Sequence, residues 1–364
     1  MFDRVKQWMR LRALTTWLDR HERYLIPLAL IVGVILDFVT FRSIQIHWSF
    51  LILAMYLVIA GTSIVLVNAT NLKSHFLLWV QAFAPFVLQF VFGALLSASL
   101  VFYWFSGALS ASWPIMIVVA VLMTSNEVLR QYYLRPLAQI SVFFFAVFSV
   151  STLFFPYLFH TIDAWVFLVS GLLSFIVTLF FTLALSHWNP VVAKDRSQIT
   201  ISMFVIALFM NGLYLFNIIP PIPLSLREAG VFHDVKRAGS GYLILDEQKT
   251  WMEQLFPVQT IHLGPNEKTF VFTSVFAPTN LSTKIVHHWQ FYDADSRSWV
   301  EKSKLSFSLS GGRNEGYRGY SYKSGLQAGK WRVSVETPRG QVLARIRFNA
   351  VLVNEPAPLI QITR

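Results

Sequence analysis

Ile218-Ile219-Pro220-Pro221-Ile222-Pro223 divides the chain into two parts with different hydrophobic periods. Three prolines within four residues remove backbone donors and fix φ, so no helix continues through them and the chain leaves as a stiff, extended segment. Before this stretch lie seven apolar runs: Tyr24 to Phe41, Trp48 to Asn68, Val80 to Phe105, Trp113 to Tyr133, Leu137 to His160, Trp165 to His187 and Ile199 to Ile219. Each is close to the roughly 20 residues a helix needs to cross a bilayer core. Trp48, Trp79, Trp104, Trp113, Trp165 and Trp188 fall near their ends, where amphipathic rings settle at headgroup level. After the prolines the period becomes two. Phe270, Phe272, Ser274 and Phe276 alternate with Thr269, Val271, Thr273 and Val275, and similar alternation runs through Ile285 to Tyr292, Trp331 to Val335 and Val342 to Phe348. Strands bounded by Gly and Pro follow from that pattern, with Thr337-Pro338-Arg339-Gly340 as the turn of the last hairpin.

The fold expected is a membrane all-α bundle of about seven transmembrane helices followed by a small all-β, immunoglobulin-like sandwich of about seven or eight strands. The boundaries are a basic amphipathic segment over 1–23, the helical domain over 24–219, a Pro-rich junction over 220–230, the β-domain over 231–352 and a tail over 353–364.

Composition points the same way. Of 364 residues 55% are hydrophobic and 13% charged, against about a quarter charged in ordinary soluble domains. Cysteine is absent, which excludes disulfides, thiolate nucleophiles and thiolate metal sites. The net charge is +11, yet residues 1–224 hold 12 Lys and Arg against 7 Asp and Glu, nearly all of them between apolar runs. That is the pattern of topology-setting loops, not of a nucleic-acid patch. Arg4, Lys6, Arg10, Arg12, Arg20, Arg23, Lys73, Arg130, Arg135, Lys194 and Arg196 lie before the first run or in alternate later loops, and the intervening connections hold only Arg42. Eleven against one places the N-terminus in the cytoplasm, and an odd number of spans places the β-domain on the other side. No cleavable leader is expected, because charged amphipathic sequence precedes the first run and Arg42 follows it without a small-residue cleavage pattern. The start, with Trp8, Leu11, Leu14, Trp17 and Leu18 among arginines, suits the surface of an anionic membrane.

Val286 to Ala350 resembles the bacterial domain-of-unknown-function family 2914. The resemblance rests on His287-His288-Trp289-Gln290-Phe291-Tyr292, on Ser321-Tyr322-Lys323, and on Gly329-Lys330-Trp331-Arg332-Val333 followed by Gly340-Gln341-Val342-Leu343. The whole chain is similar to membrane-anchored proteins that carry this domain after a multi-span region, with Pro220-Pro221-Ile222-Pro223-Leu224 at the junction. The resemblance implies a bacterial, Gram-negative envelope protein and carries no activity with it.

The densest candidate site is Gly311-Gly312-Arg313-Asn314-Glu315-Gly316-Tyr317-Arg318-Gly319-Tyr320. Arg313 and Arg318 offer guanidinium donors beside the faces of Tyr317 and Tyr320, a set suited to a phosphate, carboxylate or sugar; the plainer reading is a bulged strand covering a neighbouring sheet. Polar groups inside the apolar runs are the second class. Asp37 either serves a function or pairs with Arg42, and Glu127 with Arg130 forms either a site or a local ion pair at i, i+3. Gln89 and Asn211 line a pathway or act as glue between helices. His47, His160 and Asp163 lack the paired spacing of metal ligands, and His287 and His288 point to opposite faces of a strand. No catalytic residue is assigned, since neither a nucleophile elbow nor His-Glu-x-x-His occurs, and no metal or cofactor is expected.

The function expected is a non-enzymatic one. A bacterial inner-membrane protein presents a periplasmic β-domain to an envelope component, with membrane lipid around the helices and a periplasmic protein, glycan or anionic lipid as partner, and no nucleic acid. The alternative is transport or flipping of an anionic or lipid-linked substrate through the bundle, which requires Asp37, Gln89 and Asn211 to meet at one cavity.

Overall fold

The computed structural model describes residues 35, 46–70, 74–106, 109–128, 135–239, 241–248, 258–312, 316–355 and 358–364. Six helices come first: α1 (Ile46–Val67), α2 (His75–Ser106), α3 (Leu109–Val128), α4 (Pro136–Phe159), α5 (Ala164–Trp188) and α6 (Pro190–Leu215). They coincide with six of the seven expected runs; the run Tyr24 to Phe41 lies outside the described residues apart from Ile35. Five are long and apolar enough to cross a membrane, and the apolar part of α3, Ala111–Asn126, is shorter. α6 begins at Pro190, not at Ile199 as hydropathy alone suggests. Asn189 Oδ1 accepts the backbone N–H groups of Val191 (2.8 Å) and Val192 (3.2 Å), and Pro190 takes the first helical position, where no N–H is needed.

The chain forms two compact units, one of residues 1–101, 116–151 and 170–209, the other of 102–115, 152–169 and 210–364. In the first, buried amides tie helices together. Asn68 Nδ2 donates to Gln139 Oε1 (2.7 Å) and to Ile64 O (2.8 Å), while Asn189 Nδ2 donates to Asn68 O (2.5 Å). Gln81 Nε2 donates to Leu66 O (3.0 Å) and Ala69 O (2.9 Å). These amides bond carbonyls in the last turn of α1 and in the two residues beyond it, where intrahelical partners run out.

The second unit holds the β-domain together with helix ends. β1 (Ser225–Phe232), β5 (Lys268–Phe276) and β8 (Tyr317–Ser324) form one sheet in the order β1-β5-β8. β4 (Gln259–Leu263), β6 (Ser282–Asp293), β7 (Ser298–Ser310), β9 (Gly329–Glu336) and β10 (Val342–Leu352) form a second in the order β4-β10-β9-β6-β7. β2 (Asp234–Ala238), β3 (Gly241–Glu247) and β11 (Leu359–Thr363) form a third in the order β11-β3-β2. Among the described residues this makes eleven strands in three sheets. The tail expected over 353–364 is corrected: its Leu-Ile-Gln-Ile-Thr run pairs antiparallel with β3, because apolar and β-branched residues suit a sheet edge better than solvent.

β5 explains the third sheet. Its Val271 joins Val231, Trp289, Trp331, Val333 and Phe348 in a core shared with the five-stranded sheet. On its other face Phe270 and Phe272 pack with Phe232, Val235, Ile244 and Tyr242. A strand apolar on both faces needs cover on both, so the β1-β5-β8 sheet lies between the other two. The expected turn sits between β9 and β10, closed by Gly340 N–H to Thr337 O (2.9 Å). It rests on the end of α6, where Arg339 lies over the Tyr214 ring at 4.5 Å, Asn217 Nδ2 donates to Arg339 O (3.0 Å) and Gln341 Nε2 donates to Ile219 O (3.2 Å).

Candidate functional site

Alternation in β9 sends Trp331, Val333 and Val335 into the core and Lys330, Arg332, Ser334 and Glu336 to the outer face of the five-stranded sheet. Register then decides their neighbours. On β10, Arg347 stands directly opposite Arg332, Arg345 opposite Ser334 and Asn349 opposite Lys330; on β6, Gln290 stands opposite Arg332 and His288 opposite Ser334. Like charges directly across a strand pair are destabilising. Burial first, and then the charges of Arg345 and Arg347, hold the Arg332 pKa below its usual value.

Arg332 is fixed in place. Its Nε donates to Gln290 Oε1 at 2.8 Å, and its guanidinium lies 4.4 Å from the centre of the Trp299 ring. Trp299 meets Tyr292 edge-on at 5.3 Å, and Lys330 Nζ lies 5.8 Å from the Tyr292 ring. The two acids of this face lie near Lys304 and His288, and the charge of Glu336 also acts on Arg332, against the effect of the two neighbouring arginines. Glu301 lies 2.9 Å from Lys304 Nζ and 3.0 Å from His288 Nε2, and Glu336 lies 3.4 Å from His288 Nδ1. Arginines crowded together, one of them oriented by an amide and an indole, form a surface that an oxyanion would relieve, because guanidinium binds phosphate or carboxylate bidentately.

The sequence candidates are dispersed. In the Gly311–Tyr320 segment, Arg313 lies outside the described residues. Tyr317 packs against the core around Val275, Leu281 and Leu309, whereas Tyr320 points to the opposite face and meets Phe270 at 5.9 Å and Tyr242 at 6.2 Å. By alternation Arg318 shares the face of Tyr320, so β8 separates Tyr317 from both. The glycines there answer to packing. A Cβ on Gly311 would stand 1.8 Å from Pro278 O, and Gly316, at φ +89°, would place one 2.5 Å from Ser274 Oγ.

Gln89 and Asn126 hold α2 and α3 reciprocally: Asn126 Nδ2 donates to Gln89 O (2.9 Å) and Gln89 Nε2 to Asn126 O (3.3 Å). Asn211 belongs to the other compact unit. Asp37 and Arg130 lie outside the described residues, as does the side chain of Glu127. Among the described residues no group of three His, Asp or Glu is arranged to hold a metal ion. His287 and His288 do point to opposite faces. His287 is fully buried between Thr273 Oγ1 (3.0 Å) and Ser321 Oγ (2.8 Å), and burial pushes its pKa down to about 4.

The basic face was legible in part. Lys330, Arg332, Arg345 and Arg347 occupy the alternate positions of strands whose apolar positions read clearly, but their meeting depends on cross-strand register, which composition does not give.

Residues 282–350 match the family described as "Protein of unknown function (DUF2914)", so the C-terminal part carries that domain, which holds β6, β7 and β9 of the basic sheet and all but the last two residues of β10. No curated protein matches the chain. Among solved structures it is similar to a beta-glucosidase from Listeria innocua in complex with gluconolactone, at 13% identity and TM-score 0.19 over 32% of this chain, and it spans 17% of that enzyme's length. It is also similar to Pseudomonas fluorescens alkylpurine DNA glycosylase AlkC bound to DNA containing an abasic site analog, at 13% identity and TM-score 0.20, covering 77% of this chain and 83% of that one. At such TM-scores neither likeness bears on fold or activity.

Proposed function

We propose that this chain is a bacterial inner-membrane protein with seven spans, a cytoplasmic N-terminus and a periplasmic β-domain, and that the domain recognises an anionic envelope component through the outer face of its five-stranded sheet. The ligand chemistry is a phosphate or carboxylate carried on a glycan or lipid headgroup, and the role is binding rather than catalysis. The observation that carries the reading is Arg347 set directly opposite Arg332, with Arg332 held over Trp299. A sheet that places like charges across from one another gives up stability, and bound anions recover it. The side assignment rests on the loop cations, eleven against one. The immunoglobulin-like reading is supported by two sheets packed about the fully buried Trp289, with the third sheet as an addition. Transport through the bundle gains no support from Gln89, whose amide is spent on α3.

Two measurements test this. The full chain in nanodiscs is titrated at low salt with heparin, as a polyanionic probe, and with uncharged dextran. Binding is expected for heparin alone and is expected to weaken about tenfold or more when Arg332 and Arg347 are both changed to Gln, since a charge-assisted contact contributes about 1.5–3 kcal/mol. Equal affinity of wild type and double variant removes the basic face from the proposal. For sidedness, the chain has no cysteine, so Ser296→Cys in the exposed β6–β7 turn gives a single reporter. Labelling by a membrane-impermeant maleimide in cells with a permeabilised outer membrane is expected; labelling only after lysis places the domain in the cytoplasm.

A further inference from the structure

The third sheet, β11-β3-β2, is fastened to the rest of the β-domain at one charged corner. His233, between β1 and β2, is buried with its side chain 4% exposed. Its Nδ1 lies 2.6 Å from Glu267 Oε1, in the turn that precedes β5, and its Nε2 lies 2.9 Å from Glu247 Oε1, at the end of β3. Glu247 reaches on to β4: its Oε1 accepts the His262 N–H (2.6 Å) and its Oε2 faces His262 Nδ1 (2.9 Å). Glu267 Oε2 accepts the Gly264 N–H at 2.7 Å. One imidazole thus connects two anchored carboxylates, one on the third sheet and one on the β4–β5 turn.

A neutral imidazole has a single N–H. With a carboxylate oxygen at each ring nitrogen, only the doubly protonated ring satisfies both; loss of one proton turns a lone pair towards a carboxylate. Among the described residues, the neighbouring charged groups are engaged with partners of their own. Asp234, next to His233, lies 2.6 Å from Lys236, and Asp246 Oδ1 accepts the Glu247 N–H at 2.9 Å. Arg364, beyond β11, pairs with Glu228 on β1 at 2.9 Å, a second tie that no histidine controls.

We propose that His233 is a proton-operated clasp: as imidazolium it fastens the β11-β3-β2 sheet to the β4–β5 corner, and its deprotonation loosens that sheet from the aromatic face of β5. Burial is the largest influence on His233 and opposes its charge, but the hydrogen bonds and charges of Glu247 and Glu267 outweigh it and raise the pKa above the usual 6.5. A pKa raised on folding contributes stability that is complete below the unfolded value and is lost as pH rises through the folded one. The clasp is therefore closed at pH 6.5, while the two carboxylates are ionised, and opens as pH rises through the raised pKa of His233. What it controls is access to Phe270 and Phe272, which the third sheet covers.

The test is amide hydrogen exchange of the full chain in nanodiscs from pH 6 to pH 9, corrected for intrinsic exchange. Protection over 234–247 and 359–363 is expected to fall, by up to about tenfold per pH unit, between pH 6.5 and the folded pKa of His233 and to level off above it, while β9 and β10 stay unchanged. In His233→Gln the pH dependence of these segments is expected to disappear, leaving them weakly protected throughout. A pH-independent wild type, or a His233→Gln profile equal to the wild type, overturns the proposal. His262→Gln gives a second reading, because it keeps His233: its alkaline loss of protection must persist. Independently, the ring carbon-bound proton signal of His233 must titrate above pH 6.5, and a midpoint below that value sinks the clasp even if His233→Gln fails to fold.

Discussion

In the helices Phe90, Phe180 and Leu208 are more than 60% exposed while Asn126, Gln139 and Asn189 are buried; in the β-domain Trp289, Trp331 and Phe348 are buried while Lys304, Lys330 and Arg347 stand outside. The two regions invert each other's pattern. The helical surface is compatible with a surrounding that offers no hydrogen bonds, and its amides turn inward and find backbone carbonyls. The β-domain is built for water, so apolar burial holds it together and charges are left to the surface. Deletions in the two regions therefore differ in kind: in the β-domain they remove packing, in the helices a hydrogen bond between neighbours.

The largest effect is expected for Trp331→Ala. Trp331 is 2% exposed, stacks on Phe348 and donates from Nε1 to Gln327 O at 2.8 Å. Its removal is expected to cost about 3–5 kcal/mol, measured as the shift in the denaturant midpoint of the domain's tryptophan fluorescence. A cost under 1 kcal/mol breaks the contrast, since packing would then not be what holds the domain.

Next in size is an acid dependence at His287, opposite in sign to that of the His233 clasp. Its folded pKa of about 4 lies below the unfolded value of 6.5, so the unfolded chain binds the extra proton first and stability falls as pH drops from 6.5 to 4. The difference of 2.5 units corresponds to about 3 kcal/mol at full development. Unfolding midpoints of the domain at pH 7 and pH 4.5 check the sign, and His287→Gln is expected to remove most of the change. No weakening on acidification contradicts the neutral, buried imidazole.

The smallest is Gln89→Leu, which removes one half of the amide exchange between α2 and α3. Interhelical hydrogen bonds in membranes contribute about 0.6 kcal/mol on average, so thermal inactivation in detergent is expected to shift by a degree or two at most. A loss as large as that of Trp331→Ala would mean that Gln89 does more than join helices.

The candidate site was only half legible, for a reason visible in β8 and β9. Tyr317, Arg318 and Tyr320 are neighbours in sequence, and proximity in sequence made them look like a cluster, yet period two sends Tyr317 to one face and Tyr320 to the other. Arg332 and Arg347 are far apart in sequence and meet because β9 and β10 pair in one register. The same holds for His233, Glu247, His262 and Glu267, each unremarkable alone and joined only at a corner of three sheets. The early start of α6 was written in Asn189-Pro190, a cap and first-turn pair that hydropathy passes over.

What the sequence determined by itself is what local physics enforces. Apolar length made the helices, the prolines of Pro220 to Pro223 barred any helix beyond α6, which already stops at Leu215 with Asn217 at φ 56°, and period two made the strands with their turn at Thr337 to Gly340. Tertiary structure decided what depends on pairing and layering. It put β5 between two sheets, turned the last residues into β11, opposed Arg332 to Arg347 and enclosed His233 between two carboxylates. Local periods tell each residue which face it occupies; only register and packing tell it which charge lies opposite.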